Sequence, residues 1–354
     1  VSDIMYRASK SIADNSNYHP SARYNALLVL GDLNDVEPVT KGTPKPPVPK
    51  ETGLRDLLQR YRHSKTSDSI KMAALLGLLR HAQMRTHPAS PKPMSAGERS
   101  GVAKYAVAML GQEKPEARDE GGHNWMRRRS AELVGVCGVA GKDDAYAKAL
   151  VKVILDEKSD LTVRCASAEA LGKLDLKNSK LKAEDIAKSL GKLAVDCTSA
   201  EVEILKKMLL SGDMGGEFGG RRGGYGGGEG GGYGRGGEGG GYGRGGEGGF
   251  GRGDEPIVFS DERTIPTRRR LITRLMMVKS GLVGDGKTGG ITRSLKGGDK
   301  TSEEIATAVD TLLESAKNHE FGAPQLGKAL RDQSAELSTS VAGVAAAAEP
   351  PAAG

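Results

Sequence analysis

Four segments of the chain superpose on a shared glycine: ARYNALLVLGDL (22–33), DSIKMAALLGLL (68–79), MRRRSAELVGVC (126–137) and VRCASAEALGKL (163–174). The glycines are Gly31, Gly77, Gly135 and Gly172. Eight residues before them stand Arg23, Ser69, Arg127 and Arg164, and four before them Leu27, Ala73, Ala131 and Ala168. Positions spaced i, i+4, i+8 line one helical face. A glycine inside a helix costs about 1 kcal/mol relative to alanine. Its return in a single register therefore predicts helices that come close together along that face.

Each glycine segment is followed by a second stretch with helical apolar spacing: 54–63, 101–111, 145–155 and 186–195. A helix–loop–helix unit cannot bury its apolar face alone, whereas stacked units share a continuous core. Composition points the same way. Hydrophobic residues make up 37% of the 354 residues and aromatics only 4%, so the apolar supply is mostly Ala, Leu and Val. That mixture suits helices packed on helices and suits a β-sandwich poorly. The expected fold class is all-α.

The segments VRCASAEALGKLD (163–175) and SARYNALLVLGDLND (21–35) resemble the first-helix pattern of HEAT repeats, with an arginine, spaced small residues and a late Leu-Gly. The resemblance spans roughly residues 20–210 and implies an α-solenoid of about four to five helix hairpins. It departs at Ser69 and Lys71, where the second unit lacks its arginine, and in the uneven glycine spacings of 46, 58 and 37. Within such a fold Arg23, Arg127 and Arg164 are expected to be structural, packing on a neighbouring loop or helix end, rather than catalytic. A degenerate fifth unit is expected at 265–282, built on Arg269, with its second helix at 302–318 capped by Ser302. A helix over 3–13 would close the N-terminal end.

The expected organisation is helical repeats over 1–212, a glycine-rich disordered linker over 213–256, a basic helical repeat over 257–320 and an Ala/Pro-rich disordered tail over 321–354. In the linker, 25 of the 39 residues from 215 to 253 are glycine, and such a segment cannot meet the entropy cost of folding. From Ala335 onward a frayed tail is expected rather than a long helix.

Two features suggest a nucleic-acid partner. Arg222, Arg235 and Arg244 each begin an RGG triplet beside tyrosines that could stack on bases. The tract nevertheless carries a net charge of only +1, which limits counterion release. The segment 263–300 is more basic, at +8, and includes the contiguous Arg268, Arg269 and Arg270. These six arginines, with Lys287, are the candidate phosphate contacts. Lys287 belongs to a formal P-loop match, Gly281-Leu-Val-Gly-Asp-Gly-Lys-Thr, which needs a strand before it and a helix after it. A helical pattern precedes it and helix breakers follow, so nucleotide hydrolysis is not expected.

Two proline-lysine loops, 38–50 and 86–95, contain PxxP spacings, for which surface loops between helices are the plainer reading. The three cysteines and six histidines show no metal-ligand spacing, no cofactor is expected, and no membrane-spanning run is present. The leading expectation is a non-enzymatic scaffold that binds a protein partner on its solenoid face; the alternative is an RNA-binding protein.

Overall fold

The computed structural model describes residues 2–211, 261–284, 289–295 and 299–346. The protein is all-α, with thirteen α-helices and one short β-ribbon among the described residues. The first helices are α1 (Ser2–Asp14), α2 (Pro20–Asp32), α3 (Glu51–Arg62), α4 (Asp68–Thr86), α5 (Ala96–Leu110) and α6 (Glu120–Cys137). There follow α7 (Ala145–Leu155), α8 (Leu161–Gly172), α9 (Ala183–Leu210), α10 (Ile265–Val283), α11 (Gly290–Ser294), α12 (Asp299–Lys317) and α13 (Ala323–Ala346).

Local chemistry marks several of the starts. Asp119 accepts hydrogen bonds from the N–H groups of Gly121 and Gly122 at the head of α6, and Asp160 does the same for Thr162 and Val163 at α8. Ser95 and Glu98 form a reciprocal capping box at α5.

The even helices form one row, α2 on α4, α4 on α6, α6 on α8 and α8 on α10. Each is backed by the odd helix that precedes it: α1 on α2, α3 on α4, α5 on α6, α7 on α8 and α9 on α10. This shifts the phase expected from sequence, in which each glycine helix was joined to the segment after it. The core runs continuously through the stack, with Leu27, Leu57, Leu75, Leu133, Leu150, Leu171 and Leu275 fully buried.

The glycine register lies at the junctions of this row. A Cβ on Gly31 would stand 2.8 Å from the Cα of Gly77, and one on Gly172 would stand 2.5 Å from the carbonyl oxygen of Ser280. Backbone touches backbone there, so no side chain fits. Gly281 joins the set, since a Cβ on it would meet the Ala168 carbonyl oxygen at 2.6 Å.

Three sequence expectations are corrected. The frayed tail is instead α13, which packs along α9 and α12 through Ala323, Leu326, Leu330 and Leu337. Its stripe was hidden because the small polar Ser334 fills one of its buried positions. Ser302 does not cap α12; the helix already begins at Asp299, and Ser302 lies buried within it. The 38–50 segment, expected as a surface loop, is exposed over most of 38–45 but buried at 47–50. Strands β1 (Asn34–Val36) and β2 (Val48–Pro49) pair antiparallel, and Pro47 and Pro49 are buried. Lys50 Nζ then ties the ribbon to Asp3 and Asp35 at 2.7 and 3.0 Å. In the second loop Pro88 and Pro91 are exposed, while Arg85 holds the chain through the carbonyls of Lys92 and Pro93 and the Glu98 carboxylate.

Candidate functional site

The register arginines close helix ends. Arg23 Nε donates to Ala13 O at 3.1 Å, Arg127 Nε to Leu110 O at 3.1 Å and Arg164 Nε to Ile154 O at 2.9 Å. Each acceptor lies in the last turn of the odd helix that backs the arginine's own helix. The last carbonyls of a helix lack intrahelical donors and sit at the negative end of its dipole, so a cation suits them. Arg127 also reaches Ser159 Oγ at 2.9 Å, and Arg164 reaches Asp196 at 2.8 Å. In the second unit Lys71 Nζ donates to Ser64 O at 3.4 Å, just beyond α3.

The basic cluster of α10 is largely committed inside the fold. Arg268, read as a phosphate contact, is buried. Its Nε donates to Thr264 Oγ1, its Nη1 to Ala316 O and Asn318 O at 2.8 Å each, and its Nη2 to Phe321 O. It closes the end of α12 and is unavailable to a ligand. It also takes the structural place expected of Arg269, which is exposed. Arg270 donates to both oxygens of Glu201 at 3.0 and 2.8 Å, and Arg274 joins it at 2.9 Å. Glu201 is wholly buried, and these three bonds offset its desolvation. Lys279 pairs with Asp310 at 2.6 Å. Counting charge within 263–300 missed Glu201 and Asp310 because both lie on other helices.

The helical pattern expected before the P-loop match is α10. The first glycine of the match, Gly281, is helical and seated against α8, and α10 stands where a strand is required. Lys287 lies outside the described residues, as do Arg222, Arg235 and Arg244.

The structure also contains a cleft that sequence reasoning did not find. It encloses about 460 Å³ between the α6–α7 loop and the α8–α9 loop, with Arg99 of α5 and Lys148 of α7 at its walls. The α6–α7 loop turns on Gly138, at φ 66°. Asp143 and Asp144 then follow at φ 50° and 62°, the two non-glycine left-handed residues among those described. Such backbone is uncommon for a residue with a Cβ, and aspartate is one of the few that adopts it. Local bonds hold it. Lys148 Nζ donates to Asp143 O at 2.8 Å, and Lys180 N donates to Asp144 Oδ2 at 2.9 Å. Asp175 N donates to Gly138 O at 3.0 Å and so joins the two loops. Arg99 Nε is buried at the cleft with no hydrogen-bond partner. The lining balances Arg99, Lys148 and Lys180 against Asp143, Asp144 and Asp175. Its chemistry is hydrogen bonding and charge pairing of both signs. The only sequence signal was the run Gly138–Asp144, rich in glycine and aspartate.

Two histidines are perturbed outside this cleft. His81 is fully buried with neither ring nitrogen bonded, and burial, aided by Arg80 and Arg85, pushes it down to about 3. Burial also lowers His123, whose Nδ1 lies 3.0 Å from Arg118 Nη1. No group of three His, Cys, Asp or Glu side chains is arranged to hold a metal among the described residues, and no helix among them is long and apolar enough to cross a membrane.

Comparison with known proteins gives no match to any family model, curated protein or solved structure.

Proposed function

We propose that the chain is a non-enzymatic binding protein, an α-solenoid of HEAT-like units whose surface holds a segment of a protein partner. The observation that carries this reading is the row α2–α4–α6–α8–α10, each helix backed by its odd neighbour. A stack of this kind buries its core between adjacent units and leaves a long outer surface for contact. The cleft beside Arg99 adds a polar site of mixed charge, the chemistry found at the rim of protein interfaces.

Lysine-directed cross-linking of the intact chain with its co-purifying partner tests the proposal. Cross-links are expected at Lys142, Lys148 and Lys180, around the cleft, and Arg99→Glu is expected to weaken capture. A partner cross-linked only elsewhere, with capture indifferent to Arg99→Glu, sinks this placement.

The RNA reading rests on the three RGG arginines and the exposed Arg269. Fluorescence anisotropy with labelled single-stranded RNA at low and moderate salt checks it. Binding that falls steeply with salt and weakens on replacing Arg222, Arg235 and Arg244 by alanine would favour that alternative.

A further inference from the structure

Cys165 on α8 and Cys197 on α9 bring their sulfur atoms to 3.4 Å, and both side chains are fully buried. The residue preceding each cysteine is paired as well, Arg164 Nη2 donating to Asp196 Oδ2 at 2.8 Å. Arg164 is anchored in turn to the end of α7 through Ile154 O at 2.9 Å. Two neighbouring rungs thus join the same two helices in one register. The ion pair fixes the register, and the register places thiol opposite thiol. The third thiol, Cys137, stands apart on α6, where burial pushes it up to about 12.

We infer that Cys165 and Cys197 are a latent cross-link, closing to a disulfide when the protein meets hydrogen peroxide. The sulfurs must approach by about 1.3 Å to reach bonding distance. One sulfur gives up its proton to water and attacks a peroxide oxygen; the O–O bond breaks, and a sulfenic acid and a water molecule result. The second sulfur then attacks the sulfenic sulfur. Its S–O bond breaks, and hydroxide leaves with the second thiol's proton as water. Two thiols are oxidised, one peroxide is reduced and two water molecules are released.

The hydrogen bond between the thiols, followed by burial, holds Cys165 well above the ordinary thiol range. Attack therefore waits on local opening of α9 and is slow in the folded protein. The same burial shields the product. Closure ties α8 to α9 across a separation of 32 residues, just before the row of even helices passes to α10. It limits the freedom of the unfolded chain and fixes the two helices together in the native one.

The test treats the full chain with hydrogen peroxide, removes the oxidant, then alkylates in denaturant and maps thiols by mass spectrometry. The expected product has one alkylated residue, Cys137, and a linked peptide joining Cys165 to Cys197 that dithiothreitol separates. Its thermal midpoint is higher than that of the reduced protein. Cys137→Ser should give the same linked peptide and no alkylated thiol. Alkylation of all three thiols, a sulfinic acid at Cys165 or Cys197, or a cross-link through Cys137 would each overturn the inference.

Discussion

Replacing Gly281 by alanine places a methyl carbon 2.6 Å from the Ala168 carbonyl oxygen, where ordinary contact begins at 3.4 Å. The obstacle is backbone, so no rotamer change removes it, and α10 must withdraw from α8. Overpacking of a well-packed site costs about 1–3 kcal/mol, and rigid backbone puts this case near the top of that range. Alanine recovers about 1 kcal/mol of helix propensity. The net expectation is a loss of about 2 kcal/mol. Gly101→Ala supplies the contrast. It too is helical, in α5, but its added Cβ meets nothing within 4 Å, so it should gain about 0.5–1 kcal/mol. Urea unfolding followed by far-ultraviolet circular dichroism reads both. With a slope of about 2 kcal/mol per molar, Gly281→Ala should lower the midpoint by about 1 M and Gly101→Ala should raise it slightly. A Gly281→Ala protein as stable as its parent would refute the close-approach argument. ATP should leave the midpoint of the parent protein unchanged if Gly281 serves to pack α10 on α8.

Arg268→Ala should cost about 2–4 kcal/mol by calorimetry, since it leaves the carbonyls at the end of α12 without their charged donor, whereas Arg269→Ala should stay within about 0.5 kcal/mol. His81 predicts acid sensitivity. Its pKa is about 3 in the folded chain against 6.5 unfolded, so the unfolded state binds more protons between these values. Stability should be flat in this respect above pH 6.5 and fall by about 1.4 kcal/mol per pH unit as pH drops toward 3. His81→Leu should remove that component from urea midpoints compared at pH 7 and pH 4.5, and an unchanged difference between the two pH values would count against it. Ending the chain after Gly322 removes α13 and uncovers the apolar faces of α9 and α12; a lower thermal midpoint and new dye binding are expected.

The glycine register and the arginine eight residues before it are local patterns, and 3.6-residue periodicity alone placed them on one face of each even helix. The sequence therefore determined the all-α class, most of the helix segments before α13 and the register residues of α2, α6 and α8 that face a neighbour, while it missed α13 and placed the arginine of α10 one residue late. It could not say which neighbour. Arg23 and Arg164 each reach a helix-end carbonyl ten residues upstream, Arg127 one seventeen upstream, and Arg268 reaches 48 to 53 residues downstream to the end of α12 and the turn beyond it. A backbone carbonyl carries no sequence signature, so such partners stay invisible until helices are placed in space. The same reason hid Glu201, which takes Arg270 and Arg274 out of the apparent basic patch, and Cys197, which faces Cys165 only because α8 and α9 meet. It hid the cleft as well, whose walls come from two loops and two helices far apart in the chain. Side-chain periodicity is set within one turn of helix, whereas charge pairing, close approach and clefts depend on which turns meet, and that is a property of the packed stack.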